Sequence, residues 1–204
     1  TTSVTNSGFL TGLYVVFTPF LAIALFRQWP HPVIWPAAAL AMTGIWYLSG
    51  GRLDGLTPGD WLTVLCALLW AMQVTLTGRF VASSGRPVSL AVTQFALTAV
   101  LALALSLATE AWSPAAILVA APEILYAGIF SGGIAFTIQA VAQRHTTAPQ
   151  AAIFLSSEAV FAALFGALFL GERLGMQGYL GCALMLAAML AVEVVPALKA
   201  RRAA

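Results

Sequence analysis

The chain has 204 residues, 61% of them hydrophobic and only 8% charged, with 9 Lys+Arg against 7 Asp+Glu and a formal net charge of +2. So few charged side chains cannot cover a water-soluble globule of this size, and the high hydrophobicity excludes disorder. The cations are scattered through short breaks and the C-terminal end rather than gathered on one face, which argues against nucleic acid as a partner.

A bilayer core about 30 Å thick needs about 20 mostly apolar residues in a helix rising 1.5 Å each. Seven segments meet that ruler, so the fold class is an all-α integral membrane protein with seven transmembrane helices. The first runs from Asn6 to Phe26 and carries Ser7, Thr11, Tyr14 and Thr18 on one side. The second spans Pro32 to Leu48. The third, Pro58 to Gly78, follows the break SGGRLDGLTPGD and places Trp70, Gln73 and Thr77 on one side. The fourth spans Pro87 to Ala108 and contains Gln94. After it comes EAWSPAAILVAAP, a link long enough for a short interfacial stretch.

The fifth helix, Pro122 to Ala142, aligns Phe136, Gln139 and Gln143, and its Gly128 and Gly132 have the GxxxG spacing of close helix packing. Gly132 is also a candidate hinge. The sixth spans Ala148 to Leu170 and the seventh Met176 to Val195. Strands of a membrane barrel would alternate strictly over about ten residues, which these runs do not do.

The ends after helices one, three, five and seven carry Arg27, Arg79, Arg86, Arg144, Lys199, Arg201 and Arg202, against Arg52 and Arg173 on the other side. The positive-inside rule therefore predicts a multi-pass protein with a cytoplasmic C-terminus; the membrane expected to hold it is a bacterial-type inner membrane. Cys66 and Cys182 lie in apolar runs and read as packing thiols. The first residues lack the cationic n-region of a secretory signal, and the chain does not open with Met.

The sequence slid over itself brings Thr1 over Thr146 and Thr2 over Thr147, and Phe9, Leu10, Val15, Phe20, Ala22 and Ala38 then meet Phe154, Leu155, Val160, Phe165, Ala167 and Ala183. Common ancestry of helices one and two with six and seven follows, and a five-helix repeat would place its two copies in opposite orientations, as in many secondary transporters.

The stretch EAVFAALFGALFLGERLGMQGYLGCALMLAAMLAV, preceded by AQRHTTAPQAAIFLSS, resembles the last two helices of the EamA family in the drug/metabolite transporter superfamily. The resemblance extends through LLWAMQVTLTGRFV and YAGIFSGGIAFTIQAVAQ to a complete second repeat, 56–196, and through residues 1–50 to the last two helices of a first, leaving 197–204 as a cytoplasmic tail. It implies a ten-helix fold of two inverted five-helix repeats, so three helices are expected ahead of Thr1, and these 204 residues alone are not expected to transport. Two positions depart from the family's pattern: Ala159, where Pro is frequent, and Phe26-Arg27-Gln28, where LGE is usual. The implied activity is secondary transport: export of small organic solutes, amino acids first, aromatic or other neutral ones, and hydrophobic cations next. The implied transport unit is a monomer.

A charge at mid-helix costs roughly 2.5 to 3.5 kcal/mol on insertion scales, so Glu158 needs a reason. Phe154, Glu158 and Phe161 recur on one face of the sixth helix, next to Ser157. Glu158 is the candidate for binding a substrate amine or carrying a coupling proton; the plain alternative is a carboxyl that ties helices together. Gln139, Trp70, Gln73, Tyr14, Phe136, Phe154 and Ser157 complete the candidate substrate-binding set, against the alternative that the polar stripes are interhelical glue. Enzyme chemistry is not expected. Ser131 in GIFSGG has no base in reach, because the only histidines, His31 and His145, lie in loops. Zinc ligand spacing and the GxxxxGK[ST] phosphate loop are both missing from the sequence, so no metal, cofactor or ATP drive is expected.

Overall fold

A computed structural model of the chain describes residues 4–51, 57–169, 171 and 175–203. Among these residues every regular element is helical. Arg52, Asp54, Glu172 and Arg173, on which part of the charge count rests, and most of the LGER turn lie outside the described residues.

The first apolar segment is not one helix. α1 (Val4–Thr11) stops at Gly12 and Leu13, and α2 (Tyr14–Phe26) continues beyond them. Pro19 in α2 deletes one backbone donor, and the hydroxyl of the adjacent Thr18 donates one turn back to the Tyr14 carbonyl at 2.6 Å. α2 closes on Arg27 in the left-handed region (φ 53°), whose N–H reaches the Ile23 carbonyl at 2.8 Å.

α3 (Ile34–Leu48) has 15 residues, about 22 Å of helix, short of a full bilayer core. Among the described residues six helical segments are long and apolar enough to cross, and α3 is a shorter apolar helix beside them.

α4 (Pro58–Ser84) starts on a Thr57–Asp60 box in which the Asp60 carboxylate accepts from the Thr57 N–H at 2.6 Å and its hydroxyl at 2.8 Å. α5 (Pro87–Thr109) buries only Pro87 and Ala91. The long link holds a short helix, α6 (Pro114–Val119), whose N-cap Ser113 accepts from the Ala116 N–H. The fifth predicted span is composite: α7 (Ala121–Tyr126), a π-helical stretch (Ala127–Ala135) and α8 (Phe136–Ala142).

The sixth span also breaks. α9 (Ala148–Leu155) opens on a capping box between Thr147 and Gln150, a turn at Ser156 interrupts it, and α10 (Ser157–Phe169) follows. α11 (Met176–Ala203) continues through Pro196, so the predicted tail is helical as far as Ala203.

The chain divides into two units, Thr1–Leu76 with Thr147–Ala204, and Thr77–Thr146. In the first, α3 lies against α11 at two glycines. A Cβ on Gly44 would sit 2.5 Å from Met185 Cγ and 2.7 Å from the Gly181 carbonyl, and one on Gly181 would sit 2.8 Å from the Leu48 nitrogen. Advancing along α3 from Gly44 to Leu48 moves the contact back along α11 from Met185 to Gly181, so the two helices are antiparallel. Around them Ala37, Ala41, Ala188 and Val192 are buried in one apolar cluster with Val15 and Ile153.

In the second unit α5 packs on α8, with Phe95 and Phe136 edge to face at 5.5 Å. Gln94 donates to the Thr77 hydroxyl at 3.3 Å. Most of α5 shows large apolar side chains outward, Val100 at 65% and Leu101 at 61% exposure, which water would penalise and lipid would not.

Candidate functional site

Both interrupted helices break at the same place in the first unit, and a cavity of about 270 Å³ opens there. Ser7, Gly8, Thr11, Gly12 and Tyr14 line it from α1 and α2, Ile45 from α3, and Leu155, Ser156, Glu158, Ala159 and Ala162 from α9 and α10. Ser156 lies near the middle of the span Ala148–Phe169, so the break stands at membrane depth.

The breaks change the local hydrogen bonding. Leu13 donates to the Leu10 carbonyl, Val15 to Gly12, and Ala159 to Ser156, each three residues back instead of four. Among the described residues this leaves the N–H groups of Tyr14, Ser157 and Glu158 and the carbonyls of Phe9, Thr11 and Leu155 without a backbone partner. Such groups cost several kcal/mol each in hydrocarbon. Irregular backbone at this depth is tolerated where it lines a cavity that water or a polar solute can enter.

The side chains sharpen this chemistry. Thr11 donates its hydroxyl to the Ser7 carbonyl at 2.7 Å, and Ser156 donates to the Ile153 carbonyl at 2.6 Å, so each hydroxyl oxygen keeps only acceptor capacity for a further partner. Glu158 stands in the first turn of α10, is exposed, and lies close enough to Tyr14 to interact electrostatically. The Tyr14 ring is buried and meets Trp70 edge on, centroids 6.4 Å apart. The site therefore offers one carboxylate, one phenol, hydroxyl and carbonyl acceptors, and the N–H groups of Tyr14 and Glu158 at the starts of α2 and α10. An ammonium group fits the first three, and an anionic group fits the helix N-termini.

The sequence-predicted residues fall in four places. Glu158 and Tyr14 lie on the cavity. Trp70 stands behind Tyr14 and, with Gln73, lines a shallow apolar groove along α4 with Leu62, Leu65, Cys66 and Leu69. The chain turn at Ser156 interrupts the face expected to carry Phe154, Glu158 and Phe161. Phe154, at 39% exposure, and Ser157 are not among the cavity's lining residues, and Phe161 instead stacks on Phe165. Gln139 and Phe136 belong to the second unit, where Gln139 is buried and donates to Gln143 at 3.3 Å while Phe136 packs on Phe95.

The periodicity did not select Gly8, Gly12, Ser156, Ala159 and Ala162, because it assumes an unbroken helix. The signal available for the first break was the glycine pair Gly8 and Gly12 within an apolar run. Cys66 is exposed on α4 rather than packed, contrary to its reading as a packing thiol; Cys182 is half-buried. Among the described residues no group of three or more His, Cys, Asp and Glu side chains comes together.

The model of the EamA-like transporter family matches residues 57–193. An uncharacterized transporter of Archaeoglobus fulgidus is 29% identical over 197 residues, which cover 95% of this chain and 61% of that protein. The chain thus spans less than two thirds of the length of this curated relative. A crystal structure of a protein with 19% sequence identity superposes with a TM-score of 0.76 over 94% of this chain and 68% of the other, a likeness of fold alone.

Proposed function

The chain belongs to the EamA-like transporter family, and from that premise we propose that it forms part of a secondary transporter that exports small amine-bearing organic solutes, amino acids first, by alternating access. The observation that carries this reading is the cavity where both broken helices meet, with Glu158 on its wall. The ammonium of an amino acid would pair with the Glu158 carboxylate and the hydroxyl oxygens of Thr11 and Ser156. Its carboxylate would take the N–H groups of Tyr14 and Glu158 at the starts of α2 and α10, in the manner of half-helix sites in other secondary transporters. Neither charge could enter hydrocarbon alone without a penalty of several kcal/mol.

The helix breaks supply the moving parts, since α1 against α2 and α9 against α10 are joined by one or two residues whose bonds are already three-residue turns. Protonation of Glu158 in exchange for the solute would couple transport to a proton gradient. The chain is a multi-pass membrane protein; its seating in a bacterial inner membrane with a cytoplasmic C-terminus, and a monomeric transport unit, belong to the same proposal.

Counterflow in proteoliposomes with the full-length protein tests it. Labelled aromatic amino acids should exchange faster than in empty liposomes, and Glu158→Gln should cut the rate by at least about tenfold, the effect of losing about 1.4 kcal/mol of binding. Unchanged exchange and pH dependence in Glu158→Gln would remove both the amine-binding and the proton role. A hydrophobic-cation exporter is the second reading, favoured by the fact that no Lys or Arg stands among the lining residues. Exchange of a lipophilic cation but of no amino acid would select it.

A further inference from the structure

Two glycines face the cavity, and they differ in what a side chain would meet. At Gly12 a Cβ would stand 2.7 Å from Ile45 Cδ1 and 3.1 Å from the Phe9 carbonyl, so Gly12 is a packing glycine. At Gly8, inside α1, a Cβ would meet nothing within 4 Å among the described residues, and φ is not in the left-handed region. Among the described residues neither packing nor backbone conformation calls for glycine there, and glycine inside a helix costs about 1 kcal/mol against alanine. The register that lays Thr1 over Thr146 lays Gly8 over Ile153, whose side chain is fully buried. One copy thus fills this position, and the other leaves it empty beside a cavity whose remaining wall toward α10 is also small, Ala159 and Ala162.

We propose that Gly8 sets the size limit of the transported solute: its missing side chain is the space into which the solute's own side chain extends, with Ala162 as the second small wall residue. This rests on the amino-acid reading above and deepens it. Glu158 and the helix termini hold the charged head, which all amino acids share, and the gap at Gly8 decides how large a side chain can follow. Gly8 is then a specificity-determining residue, and bulk placed there discriminates by size without touching the head-group site.

The test is counterflow with the full-length protein and two probes, L-alanine and L-phenylalanine, in wild type, Gly8→Ala and Gly8→Leu, with thermal unfolding of each variant in detergent. Occupying a side-chain pocket by a methylene or more shifts selectivity by about 10- to 200-fold. Gly8→Leu should lower L-phenylalanine exchange at least about tenfold relative to L-alanine, with a smaller shift in Gly8→Ala, and Gly8→Ala should unfold no earlier than wild type. Equal loss of both probes, or unchanged rates for both, overturns the size limit while leaving the amino-acid reading intact. A clear fall in the unfolding temperature of Gly8→Ala makes Gly8 a packing residue and overturns it as well. Wild type that exchanges neither probe removes the amino-acid reading, and the size limit falls with it.

Discussion

Glycine takes opposite parts at different positions of this chain, and its neighbours decide which. Gly44 and Gly181 bring the backbones of α3 and α11 together: a Cβ on Gly181 would lie 2.5 Å from the Gly44 carbonyl and 2.8 Å from the Leu48 nitrogen. Those neighbours are main-chain atoms of a helix and cannot swing aside as a flexible side-chain end can. Gly181→Ala is therefore expected to destabilise the protein by about 1 to 3 kcal/mol through overpacking, seen as a lower unfolding temperature in detergent; a variant as stable as wild type would mean that the helices are further apart than described. Spacing in the sequence could not name the partner of Gly181, which stands 137 positions earlier at Gly44. The hydroxyls were legible in the same partial way. Ser7, Thr11 and Tyr14 were recognisable as one polar side, yet only the structure shows that the Thr11 and Ser156 hydrogens are taken by their own helices, leaving only acceptor capacity for a further partner.

At the scale of elements, length and hydropathy placed nearly every helix, while continuity within helices escaped them. An apolar run reads the same whether its backbone is unbroken, interrupted at Gly12 and Ser156, or wound as a π-helix from Ala127 to Ala135, because lipid-facing side chains are selected for apolarity in all three. The π stretch revises the reading of Gly128 and Gly132 as a packing pair. Among the described residues a Cβ on Gly128 would meet nothing within 4 Å, and one on Gly132 would make ordinary contact with Phe95 at 3.6 Å. Their shared feature is a backbone that winds wider than an α-helix, of the kind often found where a helix changes shape in function. Gly128→Ala should accordingly leave the unfolding free energy unchanged or raise it by up to about 1 kcal/mol, the helix preference of alanine over glycine. A loss larger than about 1 kcal/mol in a denaturant titration would restore the packing role.

For the whole molecule the sidedness of everything after α3 depends on whether that helix, with 15 residues, crosses the membrane. The other six apolar segments are long enough to cross. If α3 also crosses, direction alternates at every helix, and α3 and α11, five helices apart in the series, run in opposite directions. If α3 only dips in and returns, the series after it shifts by one, and α3 and α11 run parallel. The contacts at Gly44, Leu48, Gly181 and Met185 are antiparallel, so α3 counts as a crossing, its shortness accommodated by local thinning of the bilayer and by burial against α11. On the proposed orientation, with a cytoplasmic C-terminus, a crossing α3 puts Gln28, before it, inside and Ser49, after it, outside. Single cysteines at these positions, in a full-length background with Cys66 and Cys182 replaced by serine, can be probed with a membrane-impermeant maleimide on intact cells. Ser49→Cys should label without permeabilisation and Gln28→Cys only after it. The same labelling pattern at both positions would put the two ends of α3 on one side and make it a re-entrant helix, against its antiparallel packing on α11.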